Sequence, residues 1–130
     1  MVRTSSVETA NRALASADDA SGLVCVFVGA TSGIGLSTVT ALLNIARHST
    51  LYIVGRSEKR FAPQMRSWRA MNRSCRLVFL EAQVSLLSEV DAACAKVIEA
   101  EEKVDMLYMS PGYLPVGPRQ CELPVESMTE

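Results

Sequence analysis

The chain has 130 residues, a formal net charge of −1 and a hydrophobic fraction of 48%. A near-neutral charge with no basic stripe argues against nucleic acid or an anionic lipid surface as a partner. The apolar fraction suits a packed core, and no apolar run reaches the length needed to cross a bilayer.

Residues 1–20 form a polar N-terminal segment that mixes Glu8, Asp18 and Asp19 with Arg3 and Arg12. It lacks the apolar stretch of a secretory signal, and its acids do not fit a mitochondrial presequence. Thr9 to Ala15 suits either a short helix lying on the fold or an unstructured stretch. Leu23 to Val28 is a continuous run of β-branched and apolar residues, the pattern of a parallel strand covered on both faces. The run breaks into Gly29-Ala30-Thr31-Ser32-Gly33-Ile34-Gly35, and Leu36, Val39, Leu42, Leu43 and Ile45 then recur at helical spacing. Gly29 lets the chain turn sharply. Gly33 leaves space for a phosphate to approach the backbone, and Gly35 lets the helix lie close to the strand. The unpaired N–H groups and positive dipole end of that helix favour an anion. Thr31 and Ser32 add hydroxyls at the same place. A glycine triplet alone is a weak signal; between a strand and a helix it predicts a dinucleotide pyrophosphate site.

Leu51 to Val54 is the second predicted strand, followed by Gly55-Arg56-Ser57-Glu58-Lys59-Arg60. An acid at the end of this strand would hold the adenosine ribose hydroxyls of NAD. Here Arg56 stands instead, and a guanidinium can grip a 2′-phosphate through charge-assisted hydrogen bonds. Ser57 and Arg60 are placed to assist, so NADP(H) is expected rather than NAD(H). A helix is predicted over Pro63–Asn72, with Pro63 in its first turn and Met65 and Trp68 facing the sheet. Leu77 to Leu80 is a third strand. Ser85 or Ser88 is expected to open the next helix, with Glu89 in its first turn. Val90, Ala93, Cys94, Val97 and Ile98 form its expected buried stripe. Val104 to Met109 is a fourth strand, running into Ser110-Pro111-Gly112. After Tyr113 the chain to Glu130 carries Pro115, Pro118 and Pro124 and reads as an irregular tail. The domain reading is therefore a polar segment over 1–20, a nucleotide-binding half over 21–113 and a tail over 114–130. The four cysteines show no C-x-x-C or metal spacing. Cys25 and Cys94 fit apolar patterns as core residues, a reduced cytoplasmic setting is the default, and His48 reads as solvent-facing punctuation before the second strand.

The turn Val28-Gly29-Ala30-Thr31-Ser32-Gly33-Ile34-Gly35 resembles the cofactor turn of the short-chain dehydrogenase/reductases, T-G-x-x-x-G-I-G, with Val28 in place of the usual Thr. Ala82-Gln83-Val84-Ser85-Leu86-Leu87 resembles the family segment A-D-V-S-L-L, whose acid contacts the adenine amino group. The resemblance implies that Gln83 accepts from that amine without charge and that the Val84 backbone reaches the base. Ser110-Pro111-Gly112 stands where the family usually has N-N-A-G, a turn beside the adenine ribose and the nicotinamide half. Met109-Ser110-Pro111-Gly112-Tyr113 is similar to a variant found among fungal secondary-metabolism reductases. The likeness covers roughly residues 21–113. It implies an α/β, Rossmann-like parallel sheet ordered 3-2-1-4 with right-handed crossover helices, and an NADP(H)-dependent oxidoreductase acting on a carbonyl or alcohol group. The expected cofactor-binding residues are Gly29, Thr31, Ser32, Gly33, Ile34, Gly35, Arg56, Ser57, Gln83, Val84 and Ser110.

Members of the family also use a Ser and a Tyr-x-x-x-Lys further along. Four positions after Tyr52, Tyr108 and Tyr113 stand Arg56, Gly112 and Gly117. No catalytic residue is therefore assigned, and the fold is expected to be truncated, the N-terminal part of a longer product. Met106 to Met109 would then be an exposed apolar edge, inviting a homo-oligomer or aggregation. Two other readings stand beside the reductase: a non-catalytic nucleotide-binding or interaction module, and a remnant that neither folds well nor binds.

Overall fold

The computed structural model describes residues 1–17 and 20–112. The predicted tail lies outside them. The elements in order are α1 (Thr4–Ser16), β1 (Val24–Val28), α2 (Gly33–Leu43), β2 (Thr50–Gly55), α3 (Glu58–Met71), β3 (Arg76–Glu81), α4 (Leu87–Ala100) and β4 (Met106–Met109). The four strands form one parallel sheet in the order β3-β2-β1-β4, the doubly wound arrangement expected from the sequence. Its registers pair Val26 with Tyr52 on one side and with Leu107 on the other.

The pleat divides β1 between two cores. Cys25 and Phe27 point to the side of α2 and α3. There they pack with Val39, Leu43, Leu51, Ile53, Phe61, Met65, Trp68 and Leu77. Val24 and Val26 point the other way, to Tyr52, Val54, Leu80 and Val97 beneath α4. Both faces of β1 are thus buried, which is why its residues are apolar without alternation.

The first face is closed. Trp68 is 1% exposed, and its indole N–H donates to Thr40 Oγ1 at 3.0 Å, so the polar end of a buried ring is satisfied. Helix α3 starts at Glu58, five residues before Pro63, and not at Pro63 as the sequence suggested. Ser57 caps it by accepting the Arg60 N–H at 3.3 Å. Glu81 Oε2, at the end of β3, accepts the Glu58 N–H at 3.0 Å. Pro63 therefore sits inside the helix. His48 is exposed with φ +49°, as its place in a turn implied.

The second face is partly open. Only Val97 of α4 is buried; Cys94 is exposed and Ile98 is 76% exposed. The expected buried stripe instead borders an apolar groove of about 750 Å³, shared with Val26, Val28, Leu107 and Met109. The helical periodicity named the right side of α4, but the described residues do not fill the space it faces. The Tyr52 hydroxyl, which donates to Glu101 Oε1 at 2.7 Å, ties the end of α4 to the sheet. Strand β4 starts at Met106 rather than Val104, because the Asp105 carboxylate accepts the Val24 N–H at 2.8 Å and the Asp105 N–H donates to Val24 O. The Lys103 ammonium and that Val24 N–H hold the Asp105 carboxyl below its ordinary pKa. Leu107 and Met109 are 60% and 63% exposed, as expected of an apolar edge. Helix α1 is longer than the predicted Thr9–Ala15, and none of its residues is buried.

Candidate functional site

The expected site residues fall at the carboxyl ends of the four strands. That is where a doubly wound sheet opens a crevice, at the point where strand order reverses between β1 and β4.

Gly29 follows β1 with φ +84°. A Cβ there would stand 2.2 Å from the Ser110 carbonyl oxygen and 2.9 Å from Pro111 N. The Ser110 N–H donates to Val28 O at 2.8 Å. Gly29 thus permits a left-handed turn and also lets the backbone that leaves β4 at Ser110 and Pro111 lie directly against it, which brings Ser110 to the same place. A Cβ on Gly35 would stand 2.5 Å from Gly29 O and 2.7 Å from Ala30 Cα, so α2 rests directly on the turn. Gly33 differs: its φ is +58°, and a Cβ would meet nothing within 4 Å. Its open side is where a ligand would come.

Ser32 is the N-cap of α2 but makes no capping hydrogen bond with its side chain. The amides of Gly33, Ile34 and Gly35 have no partner within the helix, by the geometry of any helix start. Thr31, Ser32, Gly33 and Ile34 are all exposed, Ile34 at 79%. Thr31 also has a structural part. A Cβ on Gly55 would stand 2.8 Å from Thr31 Cγ2 and 2.7 Å from Phe79 Cζ, so the turn after β1 packs over the end of β2.

Arg56 follows immediately and is exposed. It lines a second cavity, about 320 Å³, together with Glu81, Gln83, Glu89 and Lys96. Among the described residues its guanidinium makes no ion pair. The Ser57 hydroxyl oxygen is engaged by the Arg60 N–H, while its own proton has no acceptor among the described residues. Val84 is 39% exposed and faces the large groove.

Neither Ser85 nor Ser88 caps α4. The N-cap is Leu86, whose side chain caps nothing. The turn is held another way: the Leu86 N–H donates to Gln83 O at 2.9 Å, and the Gln83 N–H donates to the Glu89 carboxylate. Glu81 and Glu89 are the residues that sequence reasoning missed here. Each ties down an amide beside the site. The Glu81 contact spans 23 positions and has no sequence signal. From the sequence, Glu89 signals only an acid suited to a helix start. Among the described residues, no group of three or more His, Cys, Asp or Glu could hold a metal, and no helix is long and apolar enough to cross a membrane.

The family model for short chain dehydrogenases matches residues 23–129. The chain belongs to the short-chain dehydrogenase family. It is 49% identical over 94 residues to the oxidoreductase lepF of Aspergillus flavus, a match covering 72% of this chain and 26% of that protein. It is 39% identical over 119 residues to the oxidoreductase AN1596 of Emericella nidulans, covering 92% of this chain and 35% of that one. The chain therefore spans about a quarter to a third of the length of these curated relatives. Among solved structures, L-sorbose reductase from Gluconobacter frateurii, complexed with NADPH and L-sorbose, superposes with a TM-score of 0.63 at 26% identity. That match covers 72% of this chain and 34% of the reductase.

Proposed function

We propose that residues 21–113 are the NADP(H)-binding part of a short-chain oxidoreductase that moves hydride between the nicotinamide and a carbonyl or alcohol carbon. The observation that carries this reading is the start of α2, without a side-chain cap, beneath a glycine turn at the sheet's switch point, with Arg56 beside it and in no ion pair among the described residues. The amides of Gly33, Ile34 and Gly35 would hold the pyrophosphate, with the hydroxyls of Thr31 and Ser32 alongside. Gly29 keeps the turn low enough for Ser110 to border the nicotinamide half. Arg56, aided by Ser57, would hold the 2′-phosphate. Gln83 and the Val84 backbone would meet the adenine. The bound cofactor supplies the hydride, and this chain's residues bind and orient it. The NADPH held by the sorbose reductase supports the choice of cofactor, and the likeness of Met109-Ser110-Pro111-Gly112-Tyr113 to a variant among fungal secondary-metabolism reductases supports a place in that chemistry. The setting is cytoplasmic, the reaction partner is a small carbonyl or alcohol compound, and neither nucleic acid nor a membrane is a partner. The exposed β4 edge supports a homo-oligomer, which a monodisperse monomer in size-exclusion chromatography would rule out.

Titrating NADPH and NADH onto the 130-residue chain by nucleotide fluorescence tests the cofactor. NADPH should bind more tightly, and Arg56→Ala should weaken NADPH about tenfold or more while leaving NADH nearly unchanged, since a charge-assisted hydrogen bond contributes about 1.5–3 kcal/mol. Equal affinities for the two cofactors would overturn the Arg56 assignment. Binding without turnover of carbonyl compounds would favour the non-catalytic module.

A further inference from the structure

Glu81 closes strand β3 opposite Gly55, the residue before Arg56. The Ala82 N–H donates to Gly55 O at 2.8 Å, so the ends of β2 and β3 are tied side by side. Glu81 and Arg56 border one cavity of about 320 Å³. A carboxylate and a guanidinium so placed are natural partners for a bidentate ion pair. Among the described residues they do not form one. Glu81 Oε2 instead accepts the Glu58 N–H at 3.0 Å.

That amide is the first of α3, since Ser57 is the N-cap. It has no partner within the helix, and the positive end of the helix dipole stands behind it. Resting on a fixed amide orders one side chain. Pairing with Arg56 would order two. The carboxylate therefore sits on the helix start, and the guanidinium stays out of an ion pair. Lys96, on α4, borders the same cavity, but Arg56 directly follows the residue in register with Glu81. Without the amide, the carboxylate would turn to Arg56, and a 2′-phosphate would have to displace it.

We propose that Glu81 is a positioning residue for cofactor choice: the first amide of α3 holds its carboxylate off Arg56, which keeps the guanidinium open to a 2′-phosphate. The inference rests on the nucleotide-binding reading above, in which Arg56 meets that phosphate. NADH carries a ribose hydroxyl there, makes no demand on Arg56 and is indifferent to where the carboxylate sits.

The amide can be removed by itself. Proline suits the first position of a helix, and Ser57 before it is extended at φ −148° and ψ 107°, the region a residue preceding proline favours. Glu58→Pro takes away the N–H. Glu58→Ala takes away the same charged side chain and keeps the N–H. NADPH and NADH are titrated onto each 130-residue variant by nucleotide fluorescence, with circular dichroism melts alongside. Glu58→Ala should keep the parent's preference for NADPH. Glu58→Pro should lose about fivefold of that preference, the upper end for an exposed ion pair, with NADH binding unchanged. Adding Glu81→Gln to Glu58→Pro should restore it, because a neutral amide competes poorly for a guanidinium. Glu81→Gln alone can still accept the Glu58 N–H and should hold NADPH at least as tightly as the parent. A merely structural contact would lower both affinities and the melting temperature together, and Glu81→Gln would not rescue it. An NADPH preference equal in Glu58→Pro and Glu58→Ala, or weakened by Glu81→Gln alone, would overturn this inference and spare the nucleotide reading. A parent chain that binds neither cofactor would overturn both.

Discussion

Gly35→Ala isolates the contact on which the nucleotide turn is built. Gly35 does not have positive φ, so alanine there faces steric cost and no backbone strain. The new Cβ would stand 2.5 Å from Gly29 O, 2.7 Å from Ala30 Cα and 3.1 Å from Gly29 C. Ordinary van der Waals contact begins at 3.4 Å, so the closest pair must separate by about 0.9 Å, and every atom in the way is main chain. No side chain can swing aside; α2 has to lift from the turn. Overpacking of this kind costs about 1–3 kcal/mol, and rigid main-chain neighbours place it at the upper end. Alanine returns about 0.5–1 kcal/mol in helix propensity. The net expectation is destabilisation by about 2 kcal/mol, a fall in melting temperature of roughly 8 °C for a chain of this size. Far-UV circular dichroism melts measure it, with urea unfolding as a cross-check. Gly33→Ala is the control. Its Cβ enters open space and meets only the left-handed backbone penalty of about 1–2 kcal/mol, so it should melt above Gly35→Ala while impairing NADPH binding. A Gly35→Ala chain that melts at or above the parent would refute the close seating of α2.

Tyr52→Phe should cost about 1–2 kcal/mol, because the phenol of a residue only 2% exposed donates to the Glu101 carboxylate. In the parent, burial and that hydrogen bond raise the Tyr52 pKa, so ultraviolet titration should show its phenolate forming at higher pH than a free tyrosine. A thiol assay should find Cys94 reactive and Cys25 protected in the native state, since Cys94 is exposed while burial, aided by Asp105 and Cys75, pushes the Cys25 thiol up to about 11. Between pH 9 and 11 the unfolded chain loses that proton while the folded one keeps it, so stability should fall by about 2–3 kcal/mol as pH rises through this window. Cys25→Ser should flatten the alkaline fall.

Much of the architecture was legible in the sequence because its signals are local. Unbroken apolar runs at Leu23–Val28 and Leu51–Val54 marked the first two strands, and the glycines after Val28 marked the turn. Alternating strands and helices, with right-handed crossovers, then left few sheet orders open. Arg56 could be named for the same reason: it closely follows a strand, and parallel strands deliver their carboxyl ends to one edge. Gln83 and Ser110 were named through the family resemblance, on segments that also follow strands. What only the tertiary structure decided lies in contacts between distant positions. Glu81 holds the first amide of α3, so that helix begins well before Pro63. Ser110 fills the space a Cβ on Gly29 would need, and Thr31 covers Gly55. The stripe on α4 faced the expected side, yet Cys94 and Ile98 are exposed. Periodicity reports which way a side chain points. Whether anything stands opposite is settled by contacts between distant positions, and among the described residues nothing fills the space beside Cys94 and Ile98.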